Sequence, residues 1–147
     1  MHITIVAVGR LKPSPLQFLI TDYTTQLQWK IGVKELDSKE ESKSTFGEKF
    51  CALIPPQSYI IALDEKGISL SSREFSQHIE KSQTQGHSHL CFLIGAANGL
   101  PPLAKTKAHL TLSFGRATWP HMMVRLLLVE QLYRAQQILS GHPYHRD

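Results

Sequence analysis

HLCFLIG, residues 89–95, decides the fold. After its opening histidine the run is apolar up to a closing glycine, so both sides of a strand made from it would be hydrophobic. A strand of that kind belongs in the middle of a parallel sheet covered by helices on both faces. The flanking segments agree. Upstream, SYIIALD (58–64) reads as a second buried strand and EKG (65–67) as a turn. In SLSSREFSQHIEKSQTQG (69–86), Ser71 or Ser72 can cap a helix with Glu74 in its first turn, and Gly86 closes it. Downstream come the loop AANG, a short helix led in by Pro101 and Pro102, and the strand HLTLSF (109–114).

Further out the alternation continues. HITIVAVG (2–9) is β-branched and ends in glycine, LQFLITDYTTQLQ (16–28) has helical spacing, and KIGVKELD (30–37) is a short strand. SKEESKSTFGEKFCALIPP (38–56) turns helical around Phe46, Phe50 and Leu53, and its charged front is expected to be a mobile surface loop. A final helix starts at Pro120 and runs to Ser140, with Gly141 where a left-handed cap belongs. The expected architecture is α/β, one domain over residues 1–147, with a mainly parallel sheet and helices on both faces.

Composition supports a globular domain and excludes several classes. Of 147 residues, 41% are hydrophobic and 19% charged, which fits neither a disordered nor a membrane chain. No apolar run is long enough for a membrane span, and the N-terminus has no signal-peptide pattern, so a soluble cytoplasmic protein is expected. Cys51 and Cys91 form no CxxC and read as buried thiols. The net charge of +4 is unevenly spread: residues 1–99 carry ten Lys/Arg and ten Asp/Glu, residues 100–147 six against two. Excess positive charge in the last third points to a polyanionic partner, nucleic acid first.

The last helix is apolar around most of its circumference, with a thin polar edge at Arg125, Glu130, Gln131, Arg134 and Gln137. One face can take the sheet; a second copy of the protein is the simplest cover for the other, and burial within one copy is the alternative.

Chemistry is expected beyond the carboxyl ends of the strands, in LDEKG (63–67), IGAANGL (94–100) and SFGRATWPH (113–121). Gly95, Gly99 and Gly115 allow close backbone approach to a ligand, but neither GxGxxG after the first strand nor a P-loop is present. His121 and Arg125 fall one turn apart at the start of the last helix, where an anion is favoured; a capping histidine and a structural ion pair would fit the same letters. His142 and His145 lack a third ligand, so no metal is expected. His87 and His89 read as surface residues, and Asp64 as a turn former.

HITIVAVGRLK, FLIGAANGL, LTLSFGRATWPHMMVRLLLVEQLYRAQQILSG and the terminal HPYHRD together resemble the RlmH family, bacterial large-subunit rRNA methyltransferases of the SPOUT class. The resemblance spans essentially the whole chain. It implies a C-terminal trefoil knot, a homodimer, S-adenosylmethionine as methyl donor, and methylation of N3 of a pseudouridine in the helix-69 loop of 23S rRNA on the assembled ribosome. A methyltransferase of another RNA, such as a tRNA, and a non-catalytic ribosome-binding protein are the competing readings.

Carried onto this chain, the resemblance implies cofactor contacts from Leu63, Gly95 and the stretch Phe114, Gly115, Arg116, Ala117, Thr118 and Trp119. Gly115 stands where many relatives have serine, and Ala96-Ala97 replaces a glycine and a polar residue. The terminal Tyr144, His145 and Arg146 would meet the cofactor pocket of the other subunit. For the chemistry this makes His145 a candidate base or positioning group, Arg125 or Arg146 the electrostatic partner, Tyr144 a surface for the base, and His121 a further member of the site.

Overall fold

In the computed structural model, which describes residues 1–147, five strands form one sheet in the order β2-β1-β4-β3-β5. They are β1 (His2–Val8), β2 (Lys30–Leu36), β3 (Tyr59–Ser69), β4 (His89–Ile94) and β5 (Leu110–Ser113), and every pairing is parallel. The apolar run of 89–95 is the central strand, as its composition requires: Leu90 to Leu93 are wholly inaccessible.

Five helices cover the sheet: α1 (Pro15–Thr25), α2 (Phe46–Ala52), α3 (Ser72–Thr84), α4 (Pro102–Lys107) and α5 (His121–Ser140). Strand alternation sends successive side chains to opposite faces. Ile3, Ile5 and Ala7 of β1 join Phe92, with Phe75 and Ile79 of α3 and Leu128 and Leu132 of α5, in one core. Val6 and Val8 join Cys91 and Leu93, with Phe50 of α2 and Ala104 of α4, in the other. No helix is long and apolar enough to cross a membrane.

Four local expectations change. EKG does not end β3, which continues to Ser69 through a register shift between Leu63 and Ile68. Asp64 accepts the Lys66 backbone N–H at 2.9 Å, satisfying the irregular turn. Gly67 then lets β3 lie against β5: a β-carbon there would sit 2.7 Å from the Leu112 backbone. The charged segment at 38–42 is a 3-10 turn rather than a loose loop, capped by Asp37. Glu40 ties it down by bridging Lys43 and Lys49 at 3.1 Å each. Pro120 is the extended N-cap of α5, with His121 the first helical residue. His87 and His89 are half-buried, the first against Tyr59 and the second hydrogen-bonded to Thr4 at 2.7 Å.

Candidate functional site

Parallel strands all deliver their carboxyl ends to one edge, so the irregular stretch of β3 at 63–67 and the loops leaving β4 and β5 come together there. They enclose a cavity of about 700 Å³. Leu63 and Gly95 form part of its wall, and Phe114, Gly115, Ala117, Thr118 and Trp119 line it from the loop after β5. His121 closes one side from the first turn of α5. Of the three stretches read from sequence, 94–100 and 113–121 line the cavity as loops, whereas Leu63 to Lys66 line it from within β3.

Backbone geometry explains the glycines. A β-carbon on Gly95 would lie 2.4 Å from the Gly99 carbonyl carbon, because the chain turns back at once, with the Gly99 N–H donating to Ala96 at 2.8 Å. Gly115 has φ of +107°, a conformation glycine adopts without steric cost. Its N–H donates to the Ser113 hydroxyl at 3.1 Å and its carbonyl accepts from that hydroxyl at 2.7 Å. Thr118 donates to Glu65 at 3.3 Å and the Trp119 indole N–H to the Phe114 carbonyl at 3.4 Å, which lays the loop across the cavity.

Asp64 is occupied: its carboxyl is held below the usual range by the Lys66 backbone N–H and by Lys105, 3.4 Å away. Lys105 itself lines the cavity from α4 and had no motif to betray it; only the proximity of α4 to the β4 loop puts it there.

Other predicted residues lie elsewhere. Arg116 is exposed and does not line the cavity. Arg125 is turned away from it and is 3% exposed. Its guanidinium donates to Glu35 at 2.5 Å and to the Gly9 carbonyl at 2.6 Å. Glu35 also accepts the Leu11 N–H at 2.7 Å. This is the structural ion pair, so Arg125 ties the loop after β1 to α5 and is removed from the electrostatic role. His121 follows one turn earlier on the helix, with its ring near Gly9.

The tail folds back on its own α5. Tyr144 packs edge-on against Tyr133 with ring centroids 4.8 Å apart, and its hydroxyl donates to Glu130 at 3.2 Å. Burial, then Tyr23 and the Glu130 charge, push that phenol upward. His145 contacts Arg134 at 3.1 Å. Glu130 is nine residues past His121, roughly 14 Å along the helix, so the tail does not reach its own cavity; none of Tyr144, His145 or Arg146 lines it.

A parallel sheet with its ligand cavity at the carboxyl edge and a C-terminal helix following the cavity-spanning loop is the arrangement of a SPOUT-class methyltransferase. A family model described as "Predicted SPOUT methyltransferase" matches residues 1–145, and the chain belongs to that family. Among solved structures the fold is similar to a probable methylase family protein from Haemophilus influenzae Rd KW20. That match has a TM-score of 0.58 at 12% identity, covering 99% of this chain and 70% of that one. It is also similar to the SpoU methyltransferase AviRb from Streptomyces viridochromogenes, with a TM-score of 0.51 at 13% identity, covering 96% of this chain and 61% of that one.

Within the class the chain belongs to the RlmH family. It is 43% identical over 147 residues to the ribosomal RNA large subunit methyltransferase H of Zymomonas mobilis, covering 100% of this chain and 99% of that protein. The namesake of Rhodospirillum centenum is 41% identical over 151 residues, covering 99% of each.

Proposed function

We propose that this enzyme methylates N3 of a pseudouridine in the helix-69 loop of 23S rRNA on the assembled ribosome, with S-adenosylmethionine as donor. The carrying observation is the cavity over β3, β4 and β5. Its volume suits a nucleoside-sized ligand, and its Gly95 wall is one in which any side chain would collide with Gly99. Backbone groups at 95–100 and 114–119 fit an adenosine held by main-chain contacts, with Leu63 and Trp119 supplying apolar surface. When bound, the donor supplies an electrophilic methyl on a sulfonium, so activation of the methyl needs nothing more from the protein.

The residues must handle the nucleophile. An imide N3 is protonated at neutral pH, and its electron pair becomes available for the new N–C bond only as that proton passes to a base at the cavity, His121, or to water. That bond forms as the S–C bond of the donor breaks to leave a neutral thioether. His121 stands on the cavity wall, where the positive end of α5 favours developing negative charge on the base. The rest of the reading is a homodimer in which Tyr144, His145 and Arg146 of one copy join the cavity of the other. Their distance from their own cavity supports this. The C-terminal segment is also read as the family's knot. Support comes from the loop after edge strand β5 crossing back over the irregular middle of β3, where Thr118 meets Glu65, so that α5 begins beside Gly9 in the loop after β1. A ribosomal substrate implies a cytoplasmic location.

Labelled methyl transfer to ribosomes lacking the modification tests the reading. One methyl per large subunit, recovered as methylated pseudouridine by nucleoside mass analysis, is expected. Transfer to tRNA instead, or ribosome binding with no transfer and no S-adenosylmethionine affinity by calorimetry, overturns it.

A further inference from the structure

The tail is docked through a continuous hydrogen-bond chain, and its three functional candidates are in different chemical conditions. Building on the composite site proposed above, we infer that Arg146 is the tail's substrate-contacting group and that Tyr144 and His145 are positioning residues, held by Glu130, Arg134 and Arg73.

Begin with the imidazole. Arginine has donors and no acceptor, so the 3.1 Å contact between Arg134 Nη1 and His145 Nδ1 requires a lone pair on Nδ1. The ring proton is then on Nε2, which donates to Asp147 at 2.8 Å. Asp147 in turn accepts from Arg73 Nε at 2.6 and 2.8 Å. Both ring nitrogens are spent, and neither can accept a proton from a nucleobase while the tail is docked. Tyr144 is spent as well. Its hydroxyl donates to Glu130, and the Arg134 guanidinium lies 4.9 Å from its ring centroid. Arg134 is itself fixed by Glu130 at 2.5 and 3.0 Å.

Arg146 alone among the three is exposed and makes no side-chain hydrogen bond or ion pair. Its neighbours on both sides are pinned, so its backbone projects a free guanidinium from a fixed point. The backbone is already ordered, so only the rotamer freedom of the side chain is lost when it engages a ligand. The fork of a guanidinium matches an anionic oxygen of RNA. Two such oxygens are available, a backbone phosphate and the carbonyl oxygen that gains charge as N3 loses its proton.

Single-turnover methyl transfer to unmodified ribosomes separates these roles, with S-adenosylmethionine affinity and melting temperature confirming that each variant is intact. His145→Gln keeps one acceptor for Arg134 and one donor for Asp147. It should stay within about threefold of the native rate with the acid limb of its pH profile unmoved, while His145→Ala falls about tenfold or more. Arg73→Gln should fall severalfold and Arg73→Lys recover most of that loss. Arg146→Ala should lose about tenfold or more. A higher KM with a shallower salt dependence assigns the contact to phosphate, and a lower kcat alone assigns it to the base oxygen. His145→Gln as inactive as His145→Ala, or stripped of the acid limb, would make His145 the proton acceptor and overturn the inference, as would native kinetics for Arg146→Ala. A native protein that transfers no methyl to ribosomes defeats the functional reading instead. Nitrogen NMR of His145 then still decides the geometry: a neutral ring protonated on Nε2 is required, and the other tautomer or an imidazolium refutes it.

Discussion

Gly95 is where side-chain identity and site geometry meet most directly. Its missing β-carbon is the space the Gly99 carbonyl occupies, and the resulting turn forms one wall of the cavity. Gly95→Ala is expected to cost about 1–3 kcal/mol of stability through overpacking. It should also weaken S-adenosylmethionine binding about tenfold or more, read by thermal melting and calorimetry. The sequence made that glycine legible, since glycine after a buried strand signals close approach. It left Arg125 ambiguous, because a helix-start arginine serves an anion or an internal carboxylate equally well, and only the fold brings Glu35 of β2 beside it. Glu35→Ala strands a guanidinium that is 3% exposed. It also removes the acceptor of the Leu11 N–H, so a loss of about 3 kcal/mol in urea unfolding is expected.

Half-buried histidines and one core thiol set the pH window. His78 and His89 are pushed below their ordinary 6.5 mainly by burial, so the unfolded chain takes up their protons first. Stability is independent of them above that value and falls as pH drops below it. Burial pushes the Cys91 thiol up to about 12 from 9.0. Between those values the unfolded chain releases a proton the native state keeps, so stability falls again as pH rises. Urea midpoints should be highest between about pH 7 and 8.5 and lower at 5.5 and 10; a flat profile would mean these groups are not buried as described.

At the scale of elements, the sequence was most readable where a local signal and the tertiary fold agree. In α3 both halves of a capping box are present: Ser71 accepts the Glu74 N–H at 3.1 Å and Glu74 accepts the Ser71 N–H at 2.7 Å. Ser71→Ala is expected to lower stability by about 1 kcal/mol, and because Ser71 lies outside the main cavity, cofactor affinity should not change. β3 was less readable, since a charged Glu-Lys-Gly segment has every local mark of a hairpin turn. Its continuation depends on β5 being close enough for Gly67 to touch it, a contact between residues about 45 positions apart that no local pattern encodes. α5 lies between these cases. Its excess of apolar residues is partly absorbed by α1 and α3, and Tyr133 meets Tyr23 at 5.8 Å, yet no residue from 121 to 139 is fully exposed or left as a clean polar face.

For the whole molecule, the decisive relation is between two places on α5. The cavity takes its first turn, whereas the tail is fastened near Glu130 and Arg134, about 14 Å further along. A rigid tail so fastened serves a cavity only if another copy brings one to it, and a two-fold axis crossing α5 would do this twice, giving each site one pocket and one borrowed tail. With S-adenosylmethionine held well below the concentration that saturates Gly95→Ala, two nearly inactive chains can then complement each other. Gly95→Ala supplies an intact tail on a damaged pocket, and truncation after Gly141 supplies an intact pocket without a tail. Random mixing makes half the dimers mixed, each with one complete site of two, so about a quarter of native activity should return. If pocket and tail were used within one chain, every chain in the mixture would still be defective. Mixed dimers verified by mass spectrometry would then show no more activity than either variant alone, and the shared site would be excluded.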